Sequence, residues 1–121
     1  MRFFGICGSI GLFLGVALGA FGAHSLRNRL DPSLLATFET GVRYQIYHSL
    51  ALLLVAMLVA RAPIYSYAGF FYIAGIVLFS FSLYLLALSG TRGFGIITPF
   101  GGLCFLIGHI CLLVGFIQEK I

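Results

Sequence analysis

From Phe3 to Ala23 the chain runs for 21 residues without a charged side chain. As a helix that stretch is about 32 Å long, enough to cross the roughly 30 Å hydrocarbon core of a bilayer. A small globular domain has nowhere to bury an apolar rod of that length, so this one stretch excludes most water-soluble folds. The remainder agrees. Charged residues make up 8% of the 121 positions and apolar ones 61%, whereas soluble domains carry about 25% charged residues. So few charges cannot cover a surface facing water, and the solvent must be lipid. The length allows one domain with about four spans of roughly 20 residues.

The spans are expected at residues 3–23, 43–60, 67–88 and 97–117. The first reads as a span and not a cleaved leader, because its apolar run exceeds the roughly 7–15 residues of a signal core and further spans follow. Arg61-Ala62-Pro63 closes the second, Ser89-Gly90-Thr91-Arg92-Gly93 turns the chain after the third, and Pro99 lies near the start of the last. Between the first two spans lies the longest polar connection. Asp31-Pro32 has the form of a helix start, with Asp31 as N-cap and Pro32 at the first helical position. Leu34, Leu35, Phe38 and Val42 follow at helical spacing. An interfacial helix is therefore expected over residues 32–41, either bending at Gly41 or running straight into the second span. The expected fold is an all-α membrane protein, a four-transmembrane-helix bundle with a short interfacial helix between helices 1 and 2.

Tyr44, Tyr47 and Tyr84 fall near one bilayer edge and Tyr65, Tyr67 and Tyr72 near the other, which reads as two interfacial belts. Arg27, Arg29, Arg43 and Arg92 share the first edge, while Arg2, Arg61 and Lys120 share the second. That division sets no orientation. The first span carries a glycine stripe: Gly5, Gly8, Gly11, Gly15, Gly19 and Gly22 fall within about a 120° arc. Glycine weakens a helix unless its smallness is used, so Gly8, Gly11, Gly15, Gly19 and Gly22 are expected to form a helix-packing face. The expected partner is a helix of the same chain, with self-association as the second reading.

Ionisable groups inside lipid need a reason to be there. His24, Glu39, Arg43, Gln45, His48 and Thr98 belong to the edge that carries the long connection and are expected to converge as a polar cluster. Glu39 and Arg43 have the spacing of an ion pair on a helix. Gln45 and His48 share a face, and His48 is expected about 7 Å below the interface. His24, His48 and Glu39 are ligand types, but no two have a recognised metal spacing, so no metal is expected. No serine sits in a nucleophile motif and no acid is placed to orient a histidine, so no catalytic residue is expected. The favoured reading is that Arg43 and Glu39 reach to the surface while Gln45 and His48 hydrogen-bond between helices. The competing reading is a proton or solute path, since a histidine can change charge near neutral pH. His109, near the midplane of the last span, needs a partner such as Ser80, Ser82 or a freed carbonyl. Cys7, Cys104 and Cys111 read as small packing residues. The basic groups are spread too thinly for nucleic acid to be a partner, and no cofactor is expected.

Four ordered blocks carry a resemblance. They are LGAFGAHSL at Leu18–Leu26, FETGVRYQIYHSLALLL at Phe38–Leu54, FSLYLLALSG at Phe81–Gly90 and ITPFGGLCFLIGH at Ile97–His109. Together they resemble the domain of unknown function 423 family of small membrane proteins, related to transmembrane protein 256 of animals. The resemblance implies a four-helix, multi-pass protein of the bacterial cytoplasmic (inner) membrane with no assigned reaction. The family pattern falls here on Gly19, Gly22, His24, Thr40, Tyr44, Gln45, His48, Tyr84, Thr98, Pro99, Gly101 and Gly102. It usually has tryptophan where this chain has His109, and often a small residue at Phe81. The expected function is non-enzymatic: a structural or interaction protein supporting membrane integrity or assembly, with membrane lipid, a second copy or another membrane protein as partners. The alternative is a small transporter, channel or proton conductor using His24, Gln45 and His48.

Overall fold

The computed structural model describes residues 1–119; Lys120, counted above among the edge cations, lies outside them. Four helices long and apolar enough to cross a membrane follow one another: α1 Arg2–Leu26, α2 Pro32–Leu58, α3 Pro63–Ser89 and α4 Arg92–Gln118. Short connections force each helix to run antiparallel to the one before, so neighbours in sequence pack as neighbours in space, α1 on α2, α2 on α3 and α3 on α4.

The starts of the helices follow from local chemistry. Asp31 sits in extended backbone before α2, and its side chain accepts the Leu34 N–H at 2.9 Å, with Pro32 opening the helix. Pro63 opens α3 in the same position, and α4 begins with a 3₁₀ turn over Arg92–Ile96 before becoming α-helical at Thr98. Gly90 takes φ +69°, the left-handed conformation that lets α3 stop and the chain reverse. Two π-helical turns, Leu18–Gly22 in α1 and Ile76–Phe81 in α3, interrupt otherwise regular helices. The second frees a carbonyl, and Ser82 Oγ donates to the Phe79 carbonyl at 2.8 Å.

Residues 32–41 are helical, as expected, but form no separate element. They are the first turns of α2, which passes Gly41 without a break. The reason is packing: a Cβ at Gly41 would stand 2.7 Å from the Tyr84 ring and 3.1 Å from the Ser80 carbonyl. Gly41 is therefore where α3 touches α2, not where α2 bends.

The glycine stripe of α1 lies on α2 in antiparallel register. Gly5, Gly8, Gly11, Gly15, Gly19 and Gly22 face in turn Ala56, Leu52 with Leu53, Ser49, Ile46, Val42 and Phe38. Added Cβ atoms would meet the Ser49 carbonyl at 2.8 Å from Gly8 and Ile46 Cγ1 at 2.7 Å from Gly15. The face is thus filled within the chain. A second set of glycines holds α4 to α3. Gly101, Gly108 and Gly115 are spaced by seven, and so are Phe79, Tyr72 and Tyr65 opposite them. A Cβ at Gly108 would lie 2.6 Å from the Tyr72 ring, and one at Gly115 2.6 Å from Tyr65. At Gly101 the helices come closer still, backbone against backbone at Leu78 and Phe79. In return Phe105 of α4 seats over Gly75 of α3. A seven-residue repeat keeps one seam facing its neighbour along the whole helix, so each large ring finds a hole.

Tyr65 and Tyr72 are consequently fully buried. Tyr65, in the first turn of α3, keeps the expected edge level but faces the seam, whereas Tyr72 lies deeper, against His109, and its expected place in an interfacial belt is wrong. Tyr67 and Tyr47, by contrast, are exposed. The core joins Phe4, Leu52, Val55, Ala56, Ala68, Tyr72, Ile76 and Phe105.

Candidate functional site

The side chains expected to converge at one edge separate instead by depth. His24, Glu39 and Arg43 are exposed. Arg43 Nη2 donates to Thr40 Oγ1 at 3.0 Å and not to Glu39. Thr40 donates its own proton to the Ala36 carbonyl at 2.9 Å, which leaves its lone pairs to receive the arginine. An exposed Glu39–Arg43 pair would add little in any case. The ion pair among the described residues is Arg61–Glu119, at 2.8 Å on the opposite edge.

Gln45 and His48 turn inward and are nearly inaccessible, at 1% and 4% exposure, but they belong to different networks. Gln45 Nε2 donates to the Gly11 carbonyl of α1 at 2.8 Å, while its Oε1 accepts the Tyr84 hydroxyl of α3 at 2.6 Å. The bare glycine face is what lets the amide reach the α1 backbone. One side chain of α2 thereby ties three helices. Thr98 joins neither network; its Oγ1 lies 2.6 Å from Ser82 Oγ. Because Ser82 already donates to Phe79, Thr98 is the donor.

His48 reaches the last helix. Its Nδ1 lies 2.7 Å from the Tyr44 carbonyl and its Nε2 3.1 Å from Nε2 of His109, while Nδ1 of His109 lies 2.8 Å from the Tyr72 hydroxyl. Donor roles follow from the ends of the chain. A carbonyl only accepts, so His48 donates from Nδ1 and, as a neutral ring, accepts at Nε2. His109 therefore donates from Nε2 and accepts at Nδ1, and Tyr72 supplies that proton. The order is Tyr72 to His109 to His48 to the Tyr44 carbonyl, linking α3, α4 and α2. Phe105 stacks on His48 with centroids 3.5 Å apart and planes 8° from parallel.

His109 sits near the middle of α4, so its contact with His48 places both rings near the midplane, about 15 Å by helix rise from Leu58. The expected depth of about 7 Å, counted from residue 43, is corrected accordingly. So are the expected partners of His109. Gln45 and His48 do bond between helices, as expected, but to different ones, and His109 meets neither Ser80 nor Ser82. A groove of about 480 Å³ opens beside the pair between α2 and α4, walled by Tyr44, Phe79, Leu103, Phe105 and Leu106. His48 closes its inner side, whereas His109 is exposed along it. Toward the opposite edge the space is filled by Phe4, Leu52, Val55, Ala56 and Ala68, none more than 8% exposed.

Sequence reading missed Tyr72 and Tyr84 as the hydroxyls of these networks. The seven-residue spacing that Tyr72 shares with Tyr65 and Phe79 was the available signal. Nothing local marked Tyr84 as the partner of Gln45, because the two lie on different helices.

The model of a family described as a protein of unknown function, DUF423, matches residues 18–102. The chain is 41% identical to the UPF0382 membrane protein YwdK of Bacillus subtilis, over 98% of each chain. It is 44% identical to the UPF0382 inner membrane protein YgdD of Escherichia coli K12, over 98% of this chain and 92% of that one. A UPF0382 membrane protein of Staphylococcus epidermidis is 40% identical over 94% of both. No solved structure matches the chain.

Proposed function

The chain belongs to the DUF423 family of bacterial membrane proteins, and from that premise we propose that it is a non-enzymatic structural bundle in which Gln45, the His48–His109–Tyr72 chain and the Ser82–Thr98 pair serve as joints between helices. One observation carries this reading. Gln45, the His48–His109–Tyr72 chain and the Ser82–Thr98 pair each bond across helices, and apolar side chains close the space beyond them. In lipid such bonds hold helices together where the hydrophobic effect cannot. A conductor would need a wetted route from His48 to the far edge, where Leu52, Val55 and Ala68 stand. The proposed role is to support membrane integrity or assembly, with lipid around the bundle and a second copy or another membrane protein as partner. Phe13, Phe21, Met57 and Ile117, each more than 70% exposed, form part of its outer surface.

The test reconstitutes the protein in liposomes beside His48→Gln under an imposed pH gradient, with the fold of each checked by circular dichroism. Both should be equally tight to protons. A leak in the parent that the variant lacks would establish conduction and overturn the structural reading. In a bacterial strain lacking its own family member, the parent should restore any envelope defect. Gly101→Ala, which pries α3 from α4, should not.

A further inference from the structure

We infer that His48 and His109 form a two-coordinate site for a monovalent soft d¹⁰ cation, Cu(I) or its redox-inert analogue Ag(I), at the floor of the groove between α2 and α4. This goes beyond the structural reading and does not depend on it. Three features of the pair carry it.

The first is convergence. Two Nε2 atoms from different helices face each other at 3.1 Å in hydrogen-bond geometry, so the donor axis of one ring points at the lone pair of the other. Two metal–imidazole bonds of about 2 Å set end to end place the nitrogens about 4 Å apart. Taking up an ion therefore needs the rings to part by about 1 Å. His109, exposed along the groove, has room to withdraw, while His48 is fixed under Phe105.

The second is the outer support. Imidazole ligands are characteristically held through their other nitrogen by a carbonyl or a comparable oxygen. Here the Tyr44 carbonyl holds Nδ1 of His48 at 2.7 Å, and the Tyr72 hydroxyl holds Nδ1 of His109 at 2.8 Å. His48 already presents a free lone pair of the correct tautomer once the hydrogen bond opens. His109 must move its proton from Nε2 to Nδ1, where the Tyr72 oxygen turns from donor to acceptor. Two neutral rings then bind one cation. No proton is released and no electron is transferred.

The third feature selects the ion. Among the described residues no group of three His, Cys, Asp or Glu assembles. Four-coordinate zinc and six-coordinate hard cations are therefore not matched by this donor set. Linear coordination by two nitrogens is a normal geometry of Cu(I) and Ag(I). A single positive charge is also the smallest that a metal can bring to the midplane, where charge is expensive.

The test uses the full chain in nanodiscs with Cys7, Cys104 and Cys111 all changed to Ser, so that thiols do not compete. Ag(I), and Cu(I) under a reductant, should each bind at one equivalent per chain after gel filtration. His48→Gln or His109→Gln should abolish that equivalent. Tyr72→Phe should weaken it about tenfold by removing the outer support. As a check independent of whether the histidine variants fold, ¹⁵N-histidine spectra of the cysteine-free chain with both histidines in place should shift at His48 and His109 with one equivalent of Ag(I), leaving His24 unmoved. Stoichiometric binding that survives both histidine substitutions overturns the proposal. So does a silver titration that leaves the His48 and His109 resonances in place.

Discussion

Gly101→Ala offers a sharp trial of how α3 and α4 are held together, because its neighbour supplies the control. A Cβ at Gly101 would overlap the Phe79 amide nitrogen and stand 2.7 Å from both the Leu78 carbonyl carbon and Phe79 Cα. These are backbone atoms, so no rotamer change can relieve the contact and the helices must part. At Gly102 the nearest atom would be the Phe79 ring at 3.8 Å, an ordinary contact. Both substitutions sit in the same helical turn and share the same gain in helix propensity, up to about 1 kcal/mol. Overpacking typically costs 1–3 kcal/mol, and a backbone obstacle belongs at the upper end, about 3 kcal/mol. Gly101→Ala should therefore be about 3 kcal/mol less stable than Gly102→Ala, more than a hundredfold in the unfolding equilibrium. Reversible unfolding in mixed micelles of rising denaturing-detergent fraction, followed by far-ultraviolet circular dichroism, measures that gap. Trimming Phe79 to Leu should not rescue Gly101→Ala, since the ring is not what the new methyl meets. Equal stability of the two alanine variants, or full rescue by Phe79→Leu, would refute the close backbone approach.

Two further outcomes follow from named contacts. Tyr84→Phe leaves Gln45 Oε1 buried without its 2.6 Å donor and should destabilise the bundle by about 1–2 kcal/mol, whereas Tyr47→Phe, on an exposed ring, should change it by less than about 0.5 kcal/mol; equal effects in the same micelle assay would remove the Gln45 joint. At the start of α2, the Leu34 N–H and then the Ser33 hydroxyl hold the Asp31 carboxyl below its ordinary value of 3.8. A depressed folded value means that the cap stabilises fully above that pH and is lost as acid takes the pH down through the folded value. The Leu34 amide resonance should accordingly titrate with a midpoint below 3.8, and Asp31→Asn, which keeps an acceptor, should preserve the first turn where Asp31→Ala frays it.

The sequence by itself determined the solvent, the number of spans and the cap that opens α2; the starts expected at residues 67 and 97 fall inside α3 and α4, which begin at Pro63 and Arg92. Twenty-one uncharged residues compel a membrane helix whatever lies around them, and Asp31-Pro32 caps α2 through atoms three residues apart. The α1 glycine stripe was legible for the same reason, since six glycines on one arc announce a close neighbour, and short connections make α2 that neighbour. What only the tertiary structure decided is which polar groups meet. His48 lies 61 residues from His109, Gln45 34 from Gly11 and 39 from Tyr84, and no local spacing records such pairs. Their meeting depends on the depth at which each helix is set: seating Tyr65, Tyr72 and Phe79 against Gly115, Gly108 and Gly101 fixes α3 against α4, the glycine stripe fixes α1 against α2, and Gly41 under Tyr84 fixes α2 against α3. Counting residues from a presumed bilayer edge put His48 too shallow and assigned Tyr72 to the wrong environment. A helix can slide along the membrane normal with little change in its own hydropathy, and only the rings and holes of its neighbours stop it.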